Sequence, residues 1–311
     1  MEKRPFGNTG LEVSPLGFGG ASVGPSAADR RRAARALNRL LDAGVNLIDT
    51  AQCYAGSEEL IGGAVGHRRD EFVLVSKCGH HEVRADGSMR SRPIGPDDVD
   101  QALRRLRTDR LDVMLLHSYD RDVLERGEAL EVLARAREAG KICFAGYSGD
   151  NETAALAATL PGVDVVETSV SLADQANLRS VLPGARERGL GVVAKRPVAN
   201  AAWRRVGDSP ASYADAHARS YIERLKAMAL DPVALGIEGP AETAWAELAL
   251  RFTIAAPGVH VAIVGTTDPD HVRANVAAAE KGPLPDEVVQ TIHDAFSRAE
   301  TASGETWRGE N

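Results

Sequence analysis

Gly44-Val45-Asn46-Leu47-Ile48-Asp49-Thr50-Ala51-Gln52-Cys53-Tyr54 decides the fold of this chain. A glycine closes a helical pattern, a short apolar run follows, and the run ends on a carboxylate, with a phenol five residues further on. Two later stretches repeat the design. Phe72-Val73-Leu74-Val75-Ser76-Lys77 is an apolar run ending on an ammonium, and Leu111-Asp112-Val113-Met114-Leu115-Leu116-His117 ends on an imidazole. Runs of this length and composition read as buried strands. If they are parallel neighbours, Asp49, Lys77 and His117 converge at one end of a sheet with Tyr54 beside them, where α/β folds place their chemistry.

Outward from these runs the same alternation continues. Strands are expected at 16–19, 46–49, 72–77, 112–117, 142–148, 163–168, 191–195 and 259–264. Helices are expected at 27–43, 57–65, 96–106, 122–139, 151–160, 176–188, 240–254 and 269–280. Glycines at 44 and 140 supply helix stops. Eight near-continuous apolar strands separated by helices predict an α/β protein with a closed (β/α)8 TIM barrel. Ahead of it, residues 1–14 read as a hairpin turning at Gly7-Asn8-Thr9-Gly10. The segment 196–240 is too long for a plain connection and is expected to carry a helix near 212–229 and to overhang the site. Residues 282–311 add a last helix and a tail. No Gly-, Ser- or Pro-rich linker divides the chain, so 1–311 is read as one domain.

Bulk properties narrow the function. The 311 residues are 43% hydrophobic and carry a formal net charge of −7. That balance argues against a general binder of nucleic acid or anionic membrane. The start Met1–Phe6 has no apolar core of a signal peptide, and no run approaches the ~20 apolar residues of a membrane span. Three cysteines, Cys53, Cys78 and Cys143, are an odd number without disulfide spacing, and a reducing cytoplasm is the expected location. The histidines form no HxxxH or HExxH pair, so no metal is expected. The partners expected are small molecules; oligomeric state is left open.

In order, spacing and context, from about Gly7 to Asn275, the chain resembles the aldo-keto reductases. The stretches 44–54, 73–77 and 111–117 quoted above carry the resemblance. It implies that the hairpin closes the bottom of the barrel. It also implies direct hydride transfer between a nicotinamide and a carbonyl or alcohol. Tyr54 is then the general acid or base, Lys77 lowers the pKa of its phenol, Asp49 holds Lys77, and His117 orients the substrate oxygen. Reduction needs hydride at carbon and a proton at oxygen, and these residue types suit the second task.

The resemblance also implies cofactor contacts. Gly19 and Gly20, in the Gly-rich turn 17–24 that misses the G-x-G-x-x-G pattern at Ser22, approach the nicotinamide through the backbone. Gly265, Thr266, His271, Arg273 and Asn275 surround the adenosine phosphate at a strand-turn-helix start, a setting that offers free N–H groups to phosphate. Family positions for Lys and Arg hold Gly265 and His271 here. NADP(H) is favoured, with Arg273 as the compensating cation, and NAD(H) is possible. Around the carboxamide the family's Ser-Asn becomes Ser148-Gly149, its Gln becomes Glu167, and a stacking aromatic becomes Lys195, followed by Arg196. A Glu167–Lys195 or Glu167–Arg196 ion pair would explain both exchanges. Trp203 and Trp307 are candidate apolar walls of the substrate pocket, among loops 79–92, 119–125 and 198–239. Two alternatives stand beside the reductase: a sugar or polyol dehydrogenase working oxidatively, and a cofactor-binding regulatory subunit with little catalysis.

Overall fold

The computed structural model describes residues 1–22, 26–83, 89–206 and 216–310. In chain order the strands are β1 (Arg4–Pro5), β2 (Glu12–Val13), β3 (Leu16–Gly19), β4 (Leu47–Asp49), β5 (Val73–Cys78), β6 (His81–Val83), β7 (Met89–Ser91), β8 (Leu111–His117), β9 (Ile142–Ser148), β10 (Val165–Ser169), β11 (Gly191–Lys195) and β12 (Val261–Val264). Strands β3, β4, β5, β8, β9, β10, β11 and β12 form a closed barrel, each parallel to the next, with β12 returning to β3. This is the (β/α)8 architecture expected from the alternation of runs.

Its helices are α1 (Ala27–Asp42), α2 (Ser57–Val65), α3 (Pro96–Leu106), α4 (Arg121–Arg126), α5 (Glu128–Glu138), α6 (Asn151–Ala157), α7 (Ala176–Ser180), α8 (Leu182–Glu187), α9 (Ala216–Met228), α10 (Ala241–Ala255), α11 (Pro269–Glu280) and α12 (Asp286–Ser303). None of the described helices is long and apolar enough to cross a membrane. Two helices expected as single pieces are each broken in two. The piece at 122–139 divides at Gly127, whose φ of 78° is left-handed, and the piece at 176–188 divides at Val181, just before Pro183. The helix expected at 151–160 ends at Ala157. The strand expected from residue 163 begins at Val165 and that expected from 259 begins at Val261. The antiparallel β6–β7 hairpin was not foreseen, because its polar sequence has no strand pattern. Of the helix expected at 212–229, residues 212–215, with Tyr213, lie outside the described residues, as does Gly24 of the Gly-rich turn.

The barrel interior is a packed layer, not a pore. Leu47, Val73, Val75, Val113, Leu115, Val165, Val193 and Val261 fill it, and Phe6 and Val13 from the β1–β2 hairpin close it from below. Burying each such side chain is worth roughly 1.5–3 kcal/mol. The plug is fitted at its N-terminal end by glycine: a Cβ on Gly191 would stand 2.9 Å from the Phe6 ring. Asn8 N–H donates to the Gly189 carbonyl at 2.7 Å and locks the hairpin there. A second apolar cluster joins Leu172, Tyr221, Leu225, Leu248, Phe252, Phe296 and Trp307, and packs α9, α10 and α12 together.

Candidate active site

Strand periodicity explains why the polar residues converge. Successive side chains point to opposite faces of a strand. Leu47, Val75, Leu115, Val165 and Val193 face the interior. Two residues further along each strand stand Asp49, Lys77, His117, Glu167 and Lys195, which therefore face the same way one layer higher. Register keeps them together: Gly19 pairs with Asp49, and Ser148 pairs with both His117 and Glu167. Above this layer opens a cavity of about 720 Å³, lined among others by Asp49, Tyr54, His117, Ser148, Glu167 and Lys195.

At its floor Lys77 is fully buried. Its Nζ donates to Asp49 Oδ1 at 2.6 Å, to Asp49 Oδ2 at 2.5 Å and to the Thr50 carbonyl at 3.1 Å. Glu167 Oε2 stands 3.3 Å from the same Nζ, and Glu167 Oε1 accepts from Ser148 Oγ at 3.2 Å. Burial lowers the lysine pKa, but Asp49 and Glu167 together more than reverse this, so Lys77 stays charged. Burial, reinforced by Glu167, holds the Asp49 carboxyl well above the usual carboxylate range despite Lys77. Lys77 Nζ is 5.3 Å from the Tyr54 ring centroid. The lowered Tyr54 pKa expected from this neighbour is corrected by its surroundings: burial pushes the phenol up by more than Lys77 pulls it down. The Tyr54 and His117 rings meet edge-on at 5.9 Å. Burial and Lys77 press the His117 pKa well below its usual value, so its imidazole is neutral at pH 7.

The ion pair expected at Glu167 takes a different form. Glu167 pairs with Lys77, and Lys195 Nζ instead lies 2.9 Å from Asp150 Oδ2. Arg196 also turns to Asp150, at 3.9 Å, and donates to Ser169 Oγ and the Glu310 carbonyl. The reason is Asp150, a fully buried carboxylate just beyond β9, which accepts from Thr168 Oγ1, Ser169 N–H and Asn177 Nδ2 and still needs a cation. Burial alone would raise its pKa, but Lys195 and these donors hold it below the usual value. Sequence reading passed over Asp150 because only barrel closure brings it beside β11.

Gly19, Ser148, Glu167, Lys195, Arg196, Gly265, Thr266, His271 and Asn275 all line the cavity. Two residues expected among them do not. A Cβ on Gly20 would meet Ser57 Oγ at 2.6 Å and the Asp49 carbonyl at 2.8 Å, so this glycine serves the packing of its loop. Arg273 is exposed and paired with Asp270 at 2.7 Å, because the helical turn points it to solvent. Arg204 lines the cavity instead and shares Glu242 of α10 with His271, whose Nε2 lies 3.5 Å from Glu242 Oε1. Neither Arg204 nor Glu242 was singled out from sequence, because the long segment after β11 has no pattern that fixes its path.

Trp203 lines the cavity and stacks on Trp245 at 6.0 Å and 9°. Trp307, expected as a second wall, lies elsewhere: it packs edge-on against Phe296 of α12 at 5.0 Å and under the Arg224 guanidinium. It anchors the tail, whose Gly309 exchanges hydrogen bonds with Asn151 and whose Glu310 N–H donates to Asp174.

A parallel eight-stranded barrel with a polar, buried cluster at the C-terminal ends of its strands defines the class of protein. Residues 15–296 match the family model described as Aldo/keto reductase family, and the chain belongs to that family. It is 28% identical to L-galactose dehydrogenase of Arabidopsis thaliana, over 99% of this chain and 97% of that protein. It is 25% identical to NADH-specific methylglyoxal reductase of Escherichia coli (strain K12), over 89% and 93%. Among solved structures, the holo form of an aldo-keto reductase from Bacillus halodurans superimposes with a TM-score of 0.77 at 27% identity, over 95% of this chain and 96% of that one. An aldo/keto reductase from Klebsiella pneumoniae, in complex with NADP and acetate, gives 0.70 at 28% identity with the same coverage.

Proposed function

We propose that this chain is an oxidoreductase that uses NADP(H), with NAD(H) as the lesser partner, on a small carbonyl or alcohol. The observation that carries the reading is the joint placement of the Tyr54 phenol, the Asp49-bound Lys77 ammonium and a neutral His117 imidazole at one cavity floor.

The cavity suits a nicotinamide dinucleotide. Trp203 Nε1 is buried there without a hydrogen-bond partner among the described residues, a donor left for a ligand, whereas Glu167 Oε2 faces the Lys77 ammonium at 3.3 Å. Ser148 and Glu167 would hold a carboxamide. Gly265, Thr266 and the start of α11, capped by Asp268, would face phosphate, with the Arg204 guanidinium and the His271 ring nearby. The bound cofactor would supply or accept the hydride. The protein's own work is the proton. Tyr54 is protonated at neutral pH and stands ready to donate to a carbonyl oxygen. His117, as neutral imidazole, offers that oxygen a hydrogen bond, and Lys77 favours the phenolate left behind. The same groups serve the oxidative direction, with the phenolate as base.

A sugar or polyol substrate is the second reading. Lys195, Asn200 and His80 give the cavity hydroxyl-binding groups, and a matched relative over nearly the whole chain is a galactose dehydrogenase by name. A regulatory subunit needs none of the tetrad, and here all four groups are in place.

The test is a tryptophan-fluorescence titration with NADP⁺ and NAD⁺. Saturable quenching, tighter with NADP⁺ and lost in Trp203→Phe, is expected. Binding of neither nucleotide would refute the reading.

A further inference from the structure

Three side chains with metal-binding donors meet at the cavity mouth. Cys53 follows β4, His80 follows β5 and His117 ends β8. Their donor atoms lie within 4.8 Å of one another, and Cys53 Sγ and His117 Nδ1 are 3.4 Å apart. A sulfur and a nitrogen sharing one tetrahedral zinc ion, with bonds of about 2.3 and 2.0 Å, stand roughly 3.5 Å apart. The first pair is therefore already at the spacing that a common ion imposes.

His80 completes the set. Its ring centroid lies 4.6 Å from that of His117. Its Nδ1 is engaged by the His81 carbonyl at 3.2 Å, which leaves Nε2 as the ligating nitrogen. Metal-binding histidines are oriented in this way by a backbone oxygen on the other ring nitrogen. Gly79, at φ 78°, fixes the turn into His80; a Cβ there would strike the Tyr119 ring at 2.2 Å. Cys53 and His80 are exposed and His117 is buried, so an ion can enter from solvent. The nearby ammonium groups each have a carboxylate partner, Lys77 in Asp49 and Glu167 and Lys195 in Asp150.

We propose that Cys53, His80 and His117 form a binding site for a divalent ion of the Zn²⁺ class, with a fourth position open to water or ligand in the cavity. One thiolate and two imidazoles suit a borderline-soft ion over Mg²⁺ or Ca²⁺. Binding replaces the ion's six waters by these three donors and one remaining water, so that five waters and the Cys53 proton pass to solvent. Because the ion takes His117 through Nδ1, its occupancy alters the hydrogen bond that this ring offers a substrate oxygen. The site shares His117 with the reaction proposed above, and the ion is an inhibitory ligand there, not a cofactor.

Co²⁺ alone, titrated anaerobically into the purified full chain with a non-thiol reductant, tests this. One equivalent should produce a thiolate-to-cobalt charge-transfer band with intense tetrahedral d–d bands, and Zn²⁺ should abolish both. Cys53→Ser should lose the charge-transfer band, and His80→Ala the tetrahedral d–d intensity, each with an unchanged far-UV circular dichroism spectrum. Weak octahedral bands alone, or a charge-transfer band that survives in Cys53→Ser, would overturn the proposal.

Discussion

Glu167 Oε2 lies 3.3 Å from Lys77 Nζ, so that one buried ammonium serves two buried carboxylates, Asp49 and Glu167. The group is one negative charge in excess if all three ionise, and burial together with Glu167 makes Asp49 retain a proton well above the usual carboxylate range. Glu167→Gln removes the excess charge and keeps an acceptor for Ser148. Lys77 then acts more fully on Tyr54. The expected outcome is a fall of about one unit in the phenol's kinetic pKa, read from the pH dependence of kcat. Stability follows the same sign. Asp49 binds more protons folded than unfolded, so its contribution is lost as pH rises through its folded pKa. Thermal stability of the wild type should fall, as pH rises above the ordinary carboxylate value of 3.8, more than that of Glu167→Gln.

Lys77→Met should be worse than a simple loss of charge. It leaves Asp49 and Glu167 facing each other in a buried site without their cation. Removing one partner of such a group destabilises by about 3–5 kcal/mol. Urea unfolding should show a loss of this size at pH 8 and a smaller one at pH 5, because the raised pKa of Asp49 lets that carboxyl take up a proton more readily at the lower pH. A loss that is equal at the two values would contradict the charge assignment.

Asp174 gives a second pH signature. Burial, with Asp150 adding to it, pushes its carboxyl up to about 7 against the pull of Arg224. The stability it contributes is full below the ordinary value of 3.8 and is lost as pH rises through about 7. Because Asp174 accepts from Tyr221 Oη at 2.9 Å and from Glu310 N–H at 3.1 Å, the loss falls on the C-terminal tail. Asp174→Asn should flatten the decline in Tm between pH 5 and 8, and limited proteolysis of the tail should lose its pH dependence.

The tail itself is tied to Arg196, which lines the cavity, and to Arg224 of α9. Arg196 donates to the Glu310 carbonyl, and Arg224 reaches both Arg308 O and Glu310 Oε1. Deleting 304–311 removes these contacts and the packing of Trp307 on Phe296. A nucleotide titration of the truncated chain should show weaker binding of NADP⁺ with the barrel still folded. Trp307→Ala should destabilise by about 3 kcal/mol, the usual range for a buried aromatic.

The tetrad was legible because each member ends or follows an apolar run, and a period of two carries Asp49, Lys77 and His117 back to the face of the valines and leucines before them. The barrel was legible for the same reason. The partner of Glu167 was not, because sequence shows which residues face inward but not which of them the closed barrel sets against each other. Asp150, Arg204 and the Cys53–His80–His117 cluster were missed likewise: their contacts join segments that no local pattern relates. Trp307 was misplaced because an aromatic near a terminus reads alike whether it caps a pocket or pins a tail.

The central claim is that Tyr54 moves the proton in a nicotinamide-dependent reaction. The most direct measurement is NADPH oxidation or NADP⁺ reduction across panels of small aldehydes, ketones and sugars, by the wild type and by Tyr54→Phe. The account predicts turnover on at least one panel, and a fall in kcat of about 10²–10⁴-fold in the variant with nucleotide affinity unchanged. Equal kcat in the two proteins, or nucleotide binding with no turnover on any panel, would contradict it.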